Sequence, residues 1–287
     1  MTSALTAARN NFHKNLVDKQ TLSLSPDDVA SNADSSQRTS VSIALSVAKD
    51  LSAQTIPKKL TGQRVGKQFE EAVQGFLAET FPLFQSLRPG GWVIENVGGS
   101  RVEYQIAKYE PYSHLADLAS AIENDRNLAS VLGNSYEISP DILMLRKPET
   151  DEIINRDRDL VDAQSGQYAV IRKINQERPI VHAIVSCKWT LRSDRAQNAR
   201  SEALNVIRNR KGRTPHIAVV TGEPSPSRLA SLALGTGDID TVYHFALPEL
   251  IKAVDGTAND EAISMLSTLV IGKRLRDISD LPLDLAI

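Results

Sequence analysis

The sequence predicts an α/β fold. Short strand-like apolar runs alternate with helical stripes along the chain, and the 13 prolines and 15 glycines are scattered as turn punctuation instead of gathered into a linker. No internal repeat divides the 287 residues, and a composition of 41% hydrophobic and 24% charged residues suits one large core. A single domain over residues 1–287, preceded by a mobile N-terminal arm, is expected.

Taken in order, Ser23–Asp28 and Ser31–Ser36 are polar and turn-forming, and Val41, Ile43, Ala44, Val47, Ala48 and Leu51 form the apolar stripe of a short helix. From Val65 to Phe81, the apolar residues Val65, Phe69, Ala72, Val73, Phe76 and Leu77 recur at threes and fours, predicting a helix that Pro82 ends. At 100° per residue Glu70 lies at the edge of this stripe and Glu71 points away. Trp92–Val97 reads as a strand, Leu115–Asp125 as a helix, and Asp141–Leu145 as a strand opened by Pro140. Ile180–Trp189 is the best candidate for a buried strand. Its period of two puts Ile184, Ser186 and Lys188 on one face and Cys187 on the other. Ser193 or Asp194 then caps a helix with the stripe Ala196, Ala199, Ala203 and Ile207, with Gly212 past its end. Ile217–Thr221 and Asp240–Phe245 are the remaining strands.

The totals exclude several classes of function. A formal net charge of -2 rules out protein-wide attraction to nucleic acid, so DNA binding requires a local basic surface. Lys188–Arg213 offers one, with eight basic residues against Asp194 and Glu202, and from charge alone the run reads equally well as a solvated helix face followed by a basic turn. A single cysteine, Cys187, permits no internal disulfide and no cysteine-based zinc cage. The five histidines are scattered without helical ligand spacing, so any metal must be held by carboxylates. No apolar run approaches the ~20 residues of a membrane span, and no signal pattern opens the chain; a cytoplasmic protein is expected.

Pro140-Asp141 is followed, after 46 residues, by Lys188 of Ser186-Cys187-Lys188 and then by Glu202. Phosphodiester cleavage needs a nucleophilic water, stabilisation of negative charge on phosphorus and help for the leaving oxygen, which magnesium held by carboxylates supplies. Asp141 would be the central ligand, Glu202 the second carboxylate and the Cys187 carbonyl a further oxygen. Lys188 would orient or deprotonate the water and offset developing charge. Glu70, reaching from its helix, would bind a second metal or tune Lys188. Each has a bland reading when taken singly: Pro-Asp as a turn, Lys188 as a solvated strand end, Glu202 and Glu70 as helix-surface acids, Ser186 and Cys187 as small buried residues. Arg192-Ser193-Asp194-Arg195 adds two guanidinium forks suited to guanine O6 and N7 and a carboxylate suited to cytosine N4; alone, the run would be a helix cap with a local ion pair.

The combined spacing resembles that of type II restriction endonucleases reading a CCGG core, in the PD-(D/E)XK superfamily. Ser31-Asn32-Ala33-Asp34, Ser186–Thr190, Arg192 through Glu202, Arg208–Arg213 and Asp277–Leu283 are similar to the NgoMIV-type family. The resemblance implies a central mixed sheet flanked by helices, Mg2+-dependent cleavage of GCCGGC with two ions per active site, and a homotetramer of two dimers engaging two DNA copies. It also implies a cognate DNA methyltransferase in the same system. Asp141, Lys188, Glu202 and Glu70 match the active site, with Ser186 where other nucleases carry an acid and Glu202 as its spatial replacement. Arg192, Asp194 and Arg195 match readers of the inner CCGG, and Asp34 and Arg228 match readers of the outer G·C pair. Two other classes compete with this: a structure-selective nuclease of the same fold, such as a junction resolvase, and a non-enzymatic DNA-binding regulator.

Overall fold

The computed structural model describes residues 2–97, 105–124, 140–191, 193–235, 237–256 and 260–287. One sheet runs in the order β1 (Trp92–Asn96), β2 (Ile142–Arg146), β3 (Ile180–Lys188), β4 (His216–Thr221), β5 (Thr241–His244) and β6 (Leu275–Asp277). β1, β2 and β3 pair antiparallel, and β3 to β6 pair parallel, so the sheet is mixed. The helices are α1 (Ala4–Asp18), α2 (Arg38–Asp50), α3 (Gly62–Thr80), α4 (Leu115–Asn124), α5 (Asp151–Ile154), α6 (Ser193–Asn209), α7 (Pro226–Ala233), α8 (Leu247–Gly256), α9 (Asp260–Ile271) and α10 (Leu281–Asp284). None of the described helices is long and apolar enough to cross a membrane.

β3 is buried from Val181 to Cys187, as a central strand covered on both faces must be. Ala183, Val185 and Cys187 join Phe12, Phe69, Val73 and Phe76 in one core, whereas Ile184 joins Leu143, Tyr112, Ala203 and Val206 in the other. The two-residue period of the strand therefore sends Cys187 towards α3, and Ser186 towards α6. Thr61 caps α3 by accepting the Arg64 N–H through its hydroxyl. The ring of Trp189 lies 4.9 Å from Phe69 and 5.3 Å from Phe245, which fixes the residue after Lys188 between α3 and the turn after β5.

Several local expectations are revised. The α-helix ends at Thr80, just before Pro82 as expected, but the chain continues directly into a 3-10 turn, Phe81–Phe84, where the missing N–H of Pro82 costs nothing. Asp141 does not open β2 but precedes it, although its carbonyl still accepts the Val97 N–H at 2.9 Å. α6 begins at Ser193 itself, so Ser193 and Asp194, expected as caps, lie within the helix. The helix expected to run to Asp125 is described to Asn124.

The N-terminal segment is docked where a mobile arm was expected. α1 buries Ala8, Phe12 and Leu16, and Arg9 pairs with Glu249 at 2.6 Å and with Asp277 at 2.9 Å. The apolar stripe of α1 covers sheet-side surface that would otherwise stay wet, which outweighs the chain entropy of a free arm. The basic run 188–213 also does not make one surface. α6 carries it along the sheet for roughly 25 Å at 1.5 Å per residue, so Lys211 and Arg213 line a pocket with His182, near the start of β3, far from Lys188.

Candidate active site

β2 pairs with β3 only as far as Ile142 opposite Val185, so the last turn of β3 extends beyond its neighbour. The Asp141 carboxylate fills the vacated side: its Oδ2 accepts the Cys187 N–H at 2.7 Å and the Lys188 ammonium at 3.2 Å. In a strand the N–H and C=O of one residue point to the same side, so the Cys187 carbonyl faces Asp141 as well. Glu202 comes down from α6, its Oε2 3.4 Å from Ser186 Oγ and 3.6 Å from Lys188 Nζ. Ser186 Oγ also lies 3.3 Å from Asp141 Oδ2, bridging the two acids. Asp141 and Lys188, 47 residues apart in the chain, are thus in direct contact.

Glu70 joins Cys187, Lys188, Trp189 and Glu202 in the wall of an open pocket of about 550 Å³, and Glu71 is exposed. Burial, reinforced by the Asp141 charge and opposed by Lys188, pushes the Glu70 carboxyl up to about 7. Burial likewise raises Glu202, again opposed by Lys188. Burial disfavours the Lys188 ammonium, but Asp141 and then Glu202 outweigh it and hold its pKa above the ordinary lysine value. The Cys187 thiol is buried and raised by that burial, and is a small hydrophobe here.

Asp141, Glu202 and Glu70 face Lys188, and Lys67 also lines the pocket, so carboxylates outnumber ammonium groups there. Among the described residues no three His, Cys, Asp or Glu side chains converge closely enough to hold a metal by themselves. Hard oxygen donors from Asp141, Glu202 and the Cys187 carbonyl nevertheless fit magnesium, which uses one or two carboxylates and keeps several waters. The raised Glu70 and Glu202 carboxyls show where an added cation would relieve like-charge and desolvation cost.

Of the expected base readers, only Asp34 and Arg228 have described side chains. Asp194 and Arg195 fall in the first turn of α6, where the backbone alone is described, and Arg192 lies outside the described residues. Asp34 and Arg228, 194 residues apart, are brought together: Arg228 Nη2 donates to Asp34 Oδ2. Asp34 Oδ1 accepts the Ser36 hydroxyl at 2.7 Å and the Ser36 N–H at 3.0 Å, and these bonds with Arg228 lower its carboxyl to about 2. The loop that carries Asp34 is held by Ser31 Oγ donating to the Thr21 carbonyl at 2.6 Å and Asn32 Nδ2 donating to the Gly222 carbonyl at 2.7 Å.

Residues 12–287 match the family model described as NgoMIV restriction enzyme. The chain belongs to the NgoMIV restriction enzyme family. This family member is 48% identical, over all of both chains, to the type II restriction enzyme NgoMIV of Neisseria gonorrhoeae. Among solved structures, the restriction endonuclease PspGI bound to substrate DNA aligns over 99% of this chain and 92% of its own, at 13% identity and a TM-score of 0.26; so low a score carries no argument about the fold.

Sequence reasoning passed over two residues of this NgoMIV-family chain, Gly222 and Glu223. A Cβ on Gly222 would stand 2.7 Å from Trp189 Cε3 and 3.0 Å from the Trp189 carbonyl oxygen, so only glycine lets β4 end so close to the strand that carries Lys188. Gly222→Ala should cost about 1–3 kcal/mol through overpacking, read as a lower melting temperature together with slower DNA cleavage; an unchanged melting temperature would contradict it. Glu223 is a carboxylate 1% exposed. Its only signal in the sequence is an acid two residues past a buried strand.

Proposed function

We propose that this type II restriction enzyme makes Mg2+-dependent double-strand cuts in DNA at a CCGG-core palindrome, GCCGGC in full. The observation that carries the proposal is the meeting of Asp141, Glu202 and Lys188 at the overhanging end of β3, with Lys188 Nζ 3.2 Å and 3.6 Å from the two acids, one loop away from the start of α6. Asp141, Glu202 and the Cys187 carbonyl would hold the cation, and Glu70 would hold or tune a second. Bound magnesium supplies positive charge at the scissile phosphate and a more acidic water. Lys188, kept protonated in the free protein by its two acids, donates to the attacking water or to a phosphoryl oxygen and offsets the charge that develops there. Ser186 keeps Asp141 and Glu202 at a fixed separation without adding another negative charge.

A palindrome presents the same edges twice, so a two-fold dimer is the smallest assembly able to cut both strands symmetrically. The resemblance extends this to a homotetramer of two dimers with two DNA copies bound. The enzyme would act in the cytoplasm, beside a methyltransferase that protects the host's own sites. Arg192, Asp194 and Arg195 would read the inner pairs, and the paired Asp34 and Arg228 would read the outer one, offering acceptor and donor to a single C·G step.

Plasmids with and without one GCCGGC, incubated in magnesium or in EDTA, test this. Linear product is expected only with both the site and magnesium. Cutting of branched DNA that lacks the site would favour a structure-selective nuclease, and equal binding with no nicking in any buffer would favour a regulator.

A further inference from the structure

We propose that Glu223 is a positioning residue that ties the inner and the outer base readers into one rigid unit; this rests on the assignment of Arg192–Arg195, Asp34 and Arg228 as readers. Glu223 lies two residues past the end of β4 and is almost wholly buried. Its Oε2 accepts the N–H of Leu191 at 2.7 Å, the last residue before the Arg192–Arg195 run. The same oxygen lies 3.7 Å from Arg228 Nη1, while Arg228 Nη2 is held by Asp34. Its Oε1 accepts the Ser225 N–H at 3.1 Å, at the entrance to α7, which carries Arg228. One carboxylate thus touches the approach to the inner readers and the guanidinium of the outer reader.

The neighbours of Glu223 extend the tie. Its own N–H donates to Thr221 Oγ1 at 3.2 Å, and that hydroxyl donates to the Lys188 carbonyl at 2.7 Å. Gly222 between them donates its N–H to the Lys188 carbonyl at 3.3 Å and accepts from Asn32, two residues before Asp34. Thr221-Gly222-Glu223 therefore contacts the strand carrying Lys188, the loop carrying Asp34, and both sides of the reading surface. A buried carboxylate is costly unless its lone pairs are used, and here two backbone donors and an arginine use them. A packing role alone would be served at less cost by an apolar side chain of similar volume.

Glu223→Gln keeps the volume but replaces one acceptor oxygen with a donor, so the Leu191 and Ser225 N–H groups can no longer both be accepted. The test compares wild type and E223Q by kcat and KM on GCCGGC, on duplexes changed at the outer pair, and on duplexes changed at the inner pairs. Loss of a hydrogen bond to a charged group predicts roughly tenfold weaker discrimination, at outer and inner positions together, appearing in KM far more than in kcat. Discrimination equal to that of wild type would overturn the proposal, as would an equal fall of kcat on every duplex with a lowered melting temperature. A wild-type enzyme that fails to discriminate among these duplexes would instead remove the reader assignment, and the proposal with it. Should E223Q not fold, a cycle of Arg228→Ala, Arg195→Ala and the double variant gives a second reading. Tied readers predict a combined loss of discrimination at least about threefold smaller than the product of the single losses, and a purely multiplicative loss would overturn the tie.

Discussion

Lys188→Ala abolishes cleavage, by about 10³-fold or more, and leaves specific binding of GCCGGC in place. Its ammonium is the one positive group the described site sets between Asp141 and Glu202, and electrostatic stabilisation of developing charge is worth about that factor for a single well-placed donor. The proposed readers belong to the loop at Asp34, the first turn of α6 and the first turn of α7, none of which Lys188 holds through its side chain. Removal of the ammonium takes away the charge that opposes the rise of the Glu202 carboxyl, which then takes up a proton more readily and so limits the cost to folding. Single-turnover cleavage in magnesium, with a gel-shift titration in calcium, separates the two properties. Loss of specific binding in step with cleavage would contradict the division between cutting and reading.

Arg195→Ala carries the second large effect, a loss of about 1–3 kcal/mol per bidentate contact, or roughly 5- to 150-fold, in discrimination at the inner pairs. In a two-fold assembly the contact recurs in each half-site, so the loss on the full palindrome compounds. The measurement is competition between GCCGGC and duplexes altered one pair at a time. A phosphate contact would behave differently, weakening binding to all sequences alike and making it less sensitive to salt. That uniform pattern would move Arg195 from base reader to backbone clamp.

Much of the chemistry was legible because it is local. The two-residue period of Ile180–Trp189 separates Ser186 and Lys188 from Cys187, and the helical phase of Val65–Leu77 distinguishes Glu70 from Glu71. The structure places Glu70 in the pocket wall and leaves Glu71 exposed. Periodicity also located all six strands except β6, whose three residues, Leu275–Asp277, are too few to show a pattern. The docking of α1 was not legible, because the Arg9 partners Glu249 and Asp277 lie more than 200 residues away and amphipathic helices look alike whether docked or free. The splitting of the basic run was missed for a related reason: a charge count along the chain ignores the length of α6, which separates its ends. Glu223 was invisible because its value lies in the Leu191 N–H, 32 residues away, and in an Arg228 guanidinium that the distant Asp34 also holds, while its sequence neighbours advertise only a turn.

The most direct test of the account is a crystal structure of the enzyme with a GCCGGC duplex and calcium, which fills a magnesium site without supporting rapid cleavage. The account predicts an ion about 2.3–2.6 Å from an oxygen of Asp141 and from the Cys187 carbonyl oxygen, with Lys188 within hydrogen-bond reach of the scissile phosphate. Calcium bound elsewhere, or a scissile phosphate lying away from the end of β3, would contradict it.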